Sequence, residues 1–287
     1  MQAGASVLVG LTVWYLVIPY PWTLRGGNPD GSSLIAQRVA EARASGTEIE
    51  IQQEWVILEE ISPALRRAVV VAEDYRFREH DGIDWVSLAE EVHWTGDTDF
   101  SWWSADDVRA LGSALEYAWT NRAEMRGRST ITQQLAKNLY FGTDRSLLRK
   151  AMEFVVAGRL ERRLGKDRIL EIYLNIAEWG PGVFGAEAAA RRYFGRAAST
   201  LTLTEAAALA GTLPHPLTSN PSHNPGRMRW RQNLILDRLD PTRGLPPAPG
   251  PLPEIKIDLV EPDLPLLDPP EPSLPPPESL TALPDTL

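Results

Sequence analysis

Residues 73–84, with the sequence EDYRFREHDGID, place five carboxylates and one histidine within twelve positions, directly after the apolar run AVVVA. The carboxylates and the histidine are Glu73, Asp74, Glu79, Asp81, Asp84 and His80. A carboxylate held beside a reacting hydroxyl group can take its proton as a general base. The same composition is also typical of a solvated acidic loop. Both interpretations are open from this stretch alone.

A polar helix face is predicted in the stretch RGRSTITQQLAKN, residues 126–138. Ser129 is a natural N-cap for this helix, and Gly127 gives the chain freedom to turn into it. Ile131 and Leu135 point toward a core. Hydroxyl, amide and ammonium groups on one face suit an oxygen-rich, anionic ligand, although such a stripe is commonly just wet surface. Helical spacing puts four side chains on that face: Thr130, Gln134, Lys137 and Asn138.

A third stretch, RSLLRKAMEFVVAGRLERRL at residues 145–164, contains Arg149 and Glu153 four positions apart. The two side chains are neighbours on a helix surface. One interpretation is a surface ion pair, which contributes at most a few tenths of a kcal/mol. The other is a carboxylate that an arginine keeps ionised beside a cleft. The spacing does not choose between them.

Glu171 and Asn175 are also four positions apart, in ILEIYLNIAEWGPG. For this pair we expect a structural role, as a buried polar pair that supports the glycine-rich turn after the helix. His215 and His223 lie among prolines and serines without partner spacing, and we interpret them as loop histidines.

The charge distribution along the chain is uneven. Residues 126–168 contain eleven Lys or Arg and four Asp or Glu, a balance of 11 − 4 = +7, within a chain of net charge −9. This basic region predicts either a site for a diphosphate or lipid headgroups, or a solvated helix face. The acidic total argues against nucleic acid as the main partner. The absence of cysteine excludes disulfides, zinc-thiolate sites and thiol catalysis. The solvated face would carry Arg159, Arg162, Arg163 and Lys166.

A mainly α-helical fold is predicted to position these groups, because alternating β-type runs are few. SLIAQRVAEARA, residues 33–44, is a predicted helix. Pro63 follows Ser62 and opens another helix with apolar spacing. A capping box from Thr202 to Glu205 starts a helix that stops at Pro214.

Four regions are expected along the chain. Residues 1–22 are predicted to be a membrane anchor, because no charged side chain occurs between Ala3 and Trp22. The span up to Ile18 covers roughly 24 Å as a helix, with Tyr20 and Trp22 at the interface; a cleaved signal peptide is the rival interpretation. Residues 23–54 are predicted to be a linker and 55–240 the functional domain. Residues 241–287 hold fifteen of the 24 prolines and a balance of 2 − 8 = −6, which predicts a disordered tail or, alternatively, a ligand for a proline-reading groove.

Together the motifs resemble a known family. EDxxFxxHxGxD (73–84), GxSTITQQxxKN (127–138), RKxxE (149–153) and KDRILExYLN (166–175) follow one another in that order. They look like the peptidoglycan glycosyltransferases, which comprise monofunctional biosynthetic transglycosylases and the matching domain of class A penicillin-binding proteins. The resemblance covers about residues 55–215. Because the chain ends in the proline-rich tail, we expect the monofunctional form.

The resemblance implies a lysozyme-like helical glycosyltransferase domain with a smaller jaw lobe and one N-terminal transmembrane helix. It implies the joining of lipid II units, with release of a polyprenyl diphosphate and inversion at the anomeric carbon. The expected partners are lipid II, the glycan chain, membrane lipid and cell-wall synthesis or division proteins. The expected location is the cytoplasmic membrane, with the domain on its periplasmic side.

The resemblance also implies roles for individual residues. Glu73 matches the general base, and Glu153 matches a supporting carboxylate near the diphosphate. Lys137 and Arg149 match the groups that neutralise the diphosphate, with help from Lys150, and a divalent cation such as magnesium, not tightly bound, shares that work. No residue is assigned to the metal. Asp74, Phe77 and His80 match positions that shape the cleft around the base. The substrate-contacting helix is matched by Ser129, Thr130, Gln133, Gln134 and Asn138.

The interval between Asp84 and Gly127 departs from the family pattern, because it is longer than expected and rich in aromatic residues. Its rings are expected either to lie in the bilayer interface or to pack into an enlarged jaw. The aromatic residues are Trp94, Phe100, Trp102, Trp103, Tyr117 and Trp119.

Two other functions compete with glycosyl transfer. A lysozyme-like, glycan-cleaving enzyme could also use a glutamate in a helical lobe, but it never meets a diphosphate, for which RKxxE and the basic helix are suited. A non-catalytic anchored scaffold would recruit partners through the tail. The joint presence of the four charged motif residues argues against it: Glu73, Glu153, Lys137 and Arg149.

Overall fold

A computed structural model describes residues 18–96, 101, 104–121, 129–142 and 146–240. These residues are mainly α-helical with one small sheet, which confirms the predicted fold class at this level. The helices are α1 Ser33–Ala44, α2 Pro63–Glu73, α3 Trp85–Glu91, α4 Ala105–Thr120, α5 Ile131–Tyr140, α6 Leu147–Arg163, α7 Lys166–Ile176, α8 Ala186–Phe194, α9 Leu203–Thr212 and α10 Gly226–Leu239.

Three short strands form the sheet: β1 Gln52–Gln53, β2 Glu178–Gly180 and β3 Val183–Phe184. β3 lies in the middle, parallel to β1 and antiparallel to β2. Gly185 ends the hairpin at φ +85°, and a Cβ there would lie 2.8 Å from the Asn175 carbonyl oxygen. Only glycine therefore lets the chain turn from β3 into α8 against the end of α7.

One helical group consists of α2, α9 and α10, which pack on one another. The predicted start of α2 is confirmed, with Ser62 as N-cap and Pro63 in the first turn. The predicted capping box of α9 is also confirmed, since the Thr202 and Glu205 side chains each bond the other's backbone N–H. Because Glu73 is the last residue of α2, this packing sets its position.

A second helical group consists of α5, α6 and α7, with α1 against α5. The predicted helix at 33–44 is confirmed. Ile131 and Leu135 of α5 are fully buried, as their spacing predicts. Residues 23–54, which the sequence predicts to be a linker, contain α1 and β1, and both contact the helical domain.

Glu171 and Asn175 have a structural role, as predicted, but their side chains contact residues 56 and 58 and not the glycine-rich turn. Asn175 is fully buried, accepts from the Val56 N–H at 3.0 Å and donates to the Val56 carbonyl at 2.8 Å. Glu171 accepts from the Leu58 N–H at 3.2 Å. The pair therefore fixes the segment that leads from β1 into α2.

The solvated face predicted around Arg159 is wrong for Arg159 itself, which is buried. Its guanidinium donates to the carbonyl of Ile18 and, at 3.1 Å, to that of Pro19. Arg168 holds the same segment through the carbonyls of Leu24 and Gly27. Backbone carbonyls supplied by a distant part of the chain therefore replace water for part of each guanidinium group, and Arg168 also pairs with Glu171.

The structure does not describe residues 1–17 or 241–287. These ranges cover most of the predicted anchor and the whole predicted tail. No described helix has the length and apolar character needed to cross a bilayer. Trp22 is 67% exposed and Tyr20 37% exposed, and their rings stack at 4.2 Å.

The aromatic interval is described in part. Phe100, Trp102, Trp103 and the Trp119 side chain lie outside the described residues. Tyr117 of α4 packs edge-on against His93 at a centroid distance of 4.6 Å. Trp85 and Val86 at the start of α3 are exposed.

We expect Asn175→Ala to lower the free energy of unfolding by about 2–3 kcal/mol, because it leaves the backbone groups of Val56 without partners. Urea denaturation followed by circular dichroism measures this. Gln232→Ala is the control, since the half-buried Gln232 side chain donates to the Thr204 carbonyl at 2.8 Å in a solvent-exposed contact. Equal losses for the two variants would contradict the structural role of Asn175.

Candidate active site

Glu73 ends α2 with its side chain only 10% exposed. Its Oε1 accepts from Arg231 Nη2 and its Oε2 from Gln134 Nε2, each at 3.1 Å. Burial raises the pKa of the Glu73 carboxyl above its ordinary value, while Arg231, Gln134 and Lys137 oppose that rise. Glu73 is therefore a desolvated, oriented carboxyl group and does not belong to a solvated loop.

A cleft of about 600 Å³ opens beside Glu73. Its size suits a sugar-sized group in contact with the carboxylate. Carboxylates and arginines alternate around it, which suits a hydroxyl-rich ligand. The other lining residues are Val71, Ala72, Asp74, Tyr75, Arg76, Asp84, Ser87, Glu90, Thr130 and Arg238.

Gln134 is held in one orientation by its neighbours. Its Oε1 accepts from the Tyr173 hydroxyl at 2.9 Å, and its Nε2 also donates to the Ser129 carbonyl at 3.2 Å. Burial raises the pKa of Tyr173 well above its ordinary value, so the hydroxyl stays a donor. The Gln134 amide nitrogen must then face Glu73.

Asp74 fixes the loop of the first motif to α5. Its Oδ2 accepts from the Ile131 N–H and its Oδ1 contacts His80 Nε2, both at 2.9 Å. His80 Nδ1 accepts from the Gly82 N–H at 3.1 Å, so the ring hydrogen is on Nε2. Phe77 is fully buried and packs edge-on against His80. Asp74 also lines the cleft, whereas His80 and Phe77 contact other groups of the protein and do not line it.

The predicted N-cap of α5 was wrong by one residue. Thr130 is the N-cap, and its Oγ1 accepts from the Gln133 N–H at 3.2 Å. Thr130 also donates to the Gly82 carbonyl at 2.7 Å, a contact that draws it to the helix start. Ser129 is left outside the helix, where its Oγ accepts from Lys150 Nζ at 2.8 Å.

A cationic cluster surrounds Glu153, whose side chain is 3% exposed. Glu153 pairs with Arg149 and, at 3.3 Å, with Lys150 Nζ. The pair is therefore buried and is not the plain surface ion pair. Burial and the positive charges of Arg149 and Lys137 lower the pKa of Lys150 to about 8. The cations exceed the carboxylate, so the cluster favours an added anion.

Lys137 lies between Glu73 and this cluster. Its charge interacts with Glu73 on one side and with Arg149 on the other, and burial lowers its pKa. Among the residues that the structure describes, the Lys137 ammonium has no hydrogen-bond or ion-pair partner, although the Lys137 carbonyl accepts two backbone N–H groups. Gln133 also connects the groups, donating to the Gly82 carbonyl and accepting from Lys150, and Asn138 is buried on the same helix. The predicted residues thus converge on one region.

Sequence reasoning missed two residues of the site. Arg231 is 158 positions from Glu73 and lies on α10, which no spacing rule connects to the first motif. Tyr173 lies inside KDRILExYLN, so the motif could have indicated this residue, whereas helical spacing alone could not.

We expect Arg231→Gln to raise the pKa of Glu73 by about 1 unit or more, because the variant removes the cation that favours the charged form. Titration of the ¹³C-labelled carboxyl group by NMR measures this without substrate. Arg238→Gln is the control on the same helix, since Arg238 contacts the Val71 carbonyl at 3.4 Å. A comparable shift in the control would show that Arg231 has no specific effect.

Comparisons with known proteins identify the family of the chain. The family model described as Transglycosylase matches residues 41–95 and 88–240. The chain is 39% identical over 234 residues to the biosynthetic peptidoglycan transglycosylase of Bordetella pertussis, covering 82% of this chain and 87% of that protein. It is 37% identical over 233 residues to the protein of the same name from Herminiimonas arsenicoxydans, covering 81% and 90% of the two chains. For the Aromatoleum aromaticum protein the values are 41% over 212 residues, 73% and 82%. The chain belongs to the transglycosylase family.

Proposed function

We propose that this peptidoglycan glycosyltransferase joins lipid II units into glycan strands with Glu73 as the general base. The observation that carries the proposal is the arrangement around Lys137. On one side of Lys137 is the buried carboxyl group of Glu73, at the wall of the cleft. On the other side is the cluster of Arg149, Lys150 and Glu153, which has excess positive charge. This is the arrangement that inverting transfer from a diphosphate requires.

In the proposed step, the 4-hydroxyl oxygen of the acceptor sugar attacks the anomeric carbon of the donor. Its proton passes to a Glu73 carboxylate oxygen as the new C–O bond forms. The bond between the anomeric carbon and the diphosphate oxygen breaks, and the diphosphate leaves with the electron pair. Each Glu73 oxygen has one donor from the protein and keeps a lone pair for this proton.

The leaving diphosphate develops negative charge on the cationic side. Lys137, Arg149 and Lys150 supply fixed positive charge there, which lowers the energy of the transition state more than that of the bound substrate. Glu153 supports the site indirectly, because its buried carboxylate holds Arg149 and Lys150 in place.

The predicted magnesium ion has no built protein site in the described part of the chain. No group of three or more His, Asp or Glu side chains is placed to hold a metal ion there. Glu153, the carboxylate of the cationic cluster, is already paired with two cations. The residues present do not fit a protein-held ion, and no step of the mechanism passes through one.

The finer architecture and location follow from the same function. We infer that the helical groups around Glu73 form the lysozyme-like lobe and that α3 and α4 belong to the jaw. A lipid-linked substrate requires the cleft to open near a membrane surface. The proposal also includes an N-terminal anchor and a periplasmic location of the domain. It further includes recruitment of cell-wall proteins by the tail.

The test incubates the purified full chain with labelled lipid II and resolves the products on a gel. Wild type is expected to make polymer, and Glu73→Gln to lose activity by about 10²–10⁴-fold, because the amide cannot take the proton. Glu79→Gln is the matched control, since this carboxylate of the same motif is 57% exposed and pairs with Arg76. Full activity of Glu73→Gln would remove the base assignment. Cleavage of preformed glycan without polymerisation would favour the hydrolase.

We expect KM for lipid II to rise above a pH of about 8, where Lys150 loses its proton and with it the attraction for diphosphate. Steady-state kinetics between pH 6 and pH 10 measures this as a fall in kcat/KM. Lys150→Arg keeps the charge at every pH of the series and should remove this limb of the profile. Retention of the limb in Lys150→Arg would assign it to another group.

A further inference from the structure

A buried ion pair joins α1 to β2. The Arg38 guanidinium donates to both Glu178 oxygens, with Nε–Oε1 2.9 Å, Nε–Oε2 3.1 Å and Nη2–Oε2 2.8 Å. Its Nη1 donates to Glu41 at 2.8 Å. The Glu178 side chain is 4% exposed, so Arg38 neutralises a carboxylate that has little access to water. Arg38 precedes residue 41, where the family model begins to match.

α1 contacts the end of α5 that carries Lys137. The N–H groups of Phe141 and Gly142 both bond the Lys137 carbonyl, at 3.0 Å. Gly142 has φ +67°, and a Cβ there would lie 2.5 Å from Gln37 Oε1. The helix that carries Arg38 therefore packs closely against the turn at the end of the helix that carries Lys137.

Charged groups of four elements act on the Lys137 ammonium: Arg149 and Lys150 of α6, Glu73 of α2, Arg38 of α1 and Glu178 of β2. The two arginines disfavour its charge and the two glutamates favour it. Arg38 and Glu178 pair with each other, whereas Glu73 pairs with Arg231 and Arg149 pairs with Glu153. Within the described residues, none of these groups is bonded to the Lys137 ammonium.

We propose that Arg38 is a positioning residue for glycosyl transfer, because it occupies the Glu178 carboxylate and so leaves Lys137 available to the departing diphosphate. This inference rests on the proposed function of Lys137. Without Arg38, Glu178 is a buried anion lacking its partner, and the flexible Lys137 side chain moves toward it. An ammonium held by Glu178 no longer stabilises the leaving group.

The first experiment is a double-variant cycle in the lipid II assay with the full chain. Arg38→Gln is expected to lower kcat by about 100-fold through the displaced ammonium, with a smaller change in KM. Arg38→Gln combined with Glu178→Gln removes the competing anion and should be at least about tenfold faster than Arg38→Gln alone. If Arg38 only held α1 in place, the double variant would be no faster than the single one.

The second experiment follows Lys137 directly, without substrate. The chain has four lysines, so ¹³Cε-lysine NMR gives few signals, and Lys137→Arg identifies the one in question. Arg38→Gln leaves the Glu178 anion and should raise the pKa of Lys137, whereas Glu178→Gln leaves the Arg38 cation and should lower it. In the double variant, the pKa of Lys137 should be close to its wild-type value. Shifts in the same direction, or none, would overturn the inference.

Arg191→Gln is the matched control. It removes the guanidinium that pairs at 2.7 Å with Glu187, another buried carboxylate, on α8. The rate and the Lys137 titration should stay as in wild type. If Arg38→Gln unfolds below the assay temperature, the test uses Glu178→Gln, because this variant leaves no unpaired anion buried. A lowered pKa of Lys137 in Glu178→Gln then supports the inference, and an unchanged or raised pKa overturns it.

The outcomes separate the inference from the proposed function. If wild type makes no polymer while the Lys137 titrations shift in opposite directions, the proposed function fails and the electrostatic coupling holds. If wild type polymerises lipid II but the double variant recovers nothing, the positioning role of Arg38 is wrong and the proposed function stands.

Discussion

The proposed chemistry depends on one carboxyl group whose charge is opposed by burial and favoured by two donors. Glu73 ends a helix of the apolar core, where loss of water favours its neutral form. Arg231 and Gln134 each contribute one hydrogen bond to the charged form. The donors come from α10 and α5, so the pKa of this carboxyl group depends on how α2, α5 and α10 meet. Packing of helices therefore sets the acid–base property of the site.

Adjacent residues of the same motif have different roles because their surroundings differ. Asp74 accepts hydrogen bonds from His80 and from the first N–H of α5, where the helix dipole also favours an anion. Its charge in turn raises the pKa of Glu73. One carboxylate thus joins the motif loop to α5, and its neighbour is left with lone pairs toward the cleft. Glu73 and Asp74 are both carboxylic acids, and their different surroundings alone give them different properties.

Local sequence signals predicted the helices well and the burial of charged residues poorly. The proline at position 63, the capping box of α9 and the apolar spacing of α5 are short-range features, and short-range hydrogen bonds and packing decide them. Ser129 and Thr130 are both good caps, and the choice depended on the Gly82 carbonyl, 48 positions away. Arg159 lies on a face that looks solvated, but its partners are the carbonyls of residues 18 and 19. The partnership of Arg231 with Glu73 likewise forms only when distant helices pack, so no local pattern encodes it.

The basic centre of this acidic chain serves two purposes, and α6 combines them. Arg149 and Lys150 at its start surround a buried carboxylate and favour an incoming anion, whereas Arg159 further along holds the carbonyls where the N-terminal segment joins the fold. Ten positions of helix separate Arg149 from Arg159, which is roughly 15 Å along the axis. In the proposed reaction a lipid-linked diphosphate reaches the protein at headgroup depth, and the proposed N-terminal anchor leaves the bilayer at the same surface. Because one helix carries both Arg149 and Arg159, the proposed diphosphate site and the segment at residues 18 and 19 cannot change their separation independently. The contacts of Arg159 with these backbone carbonyls therefore hold that segment at a fixed distance from the proposed diphosphate site.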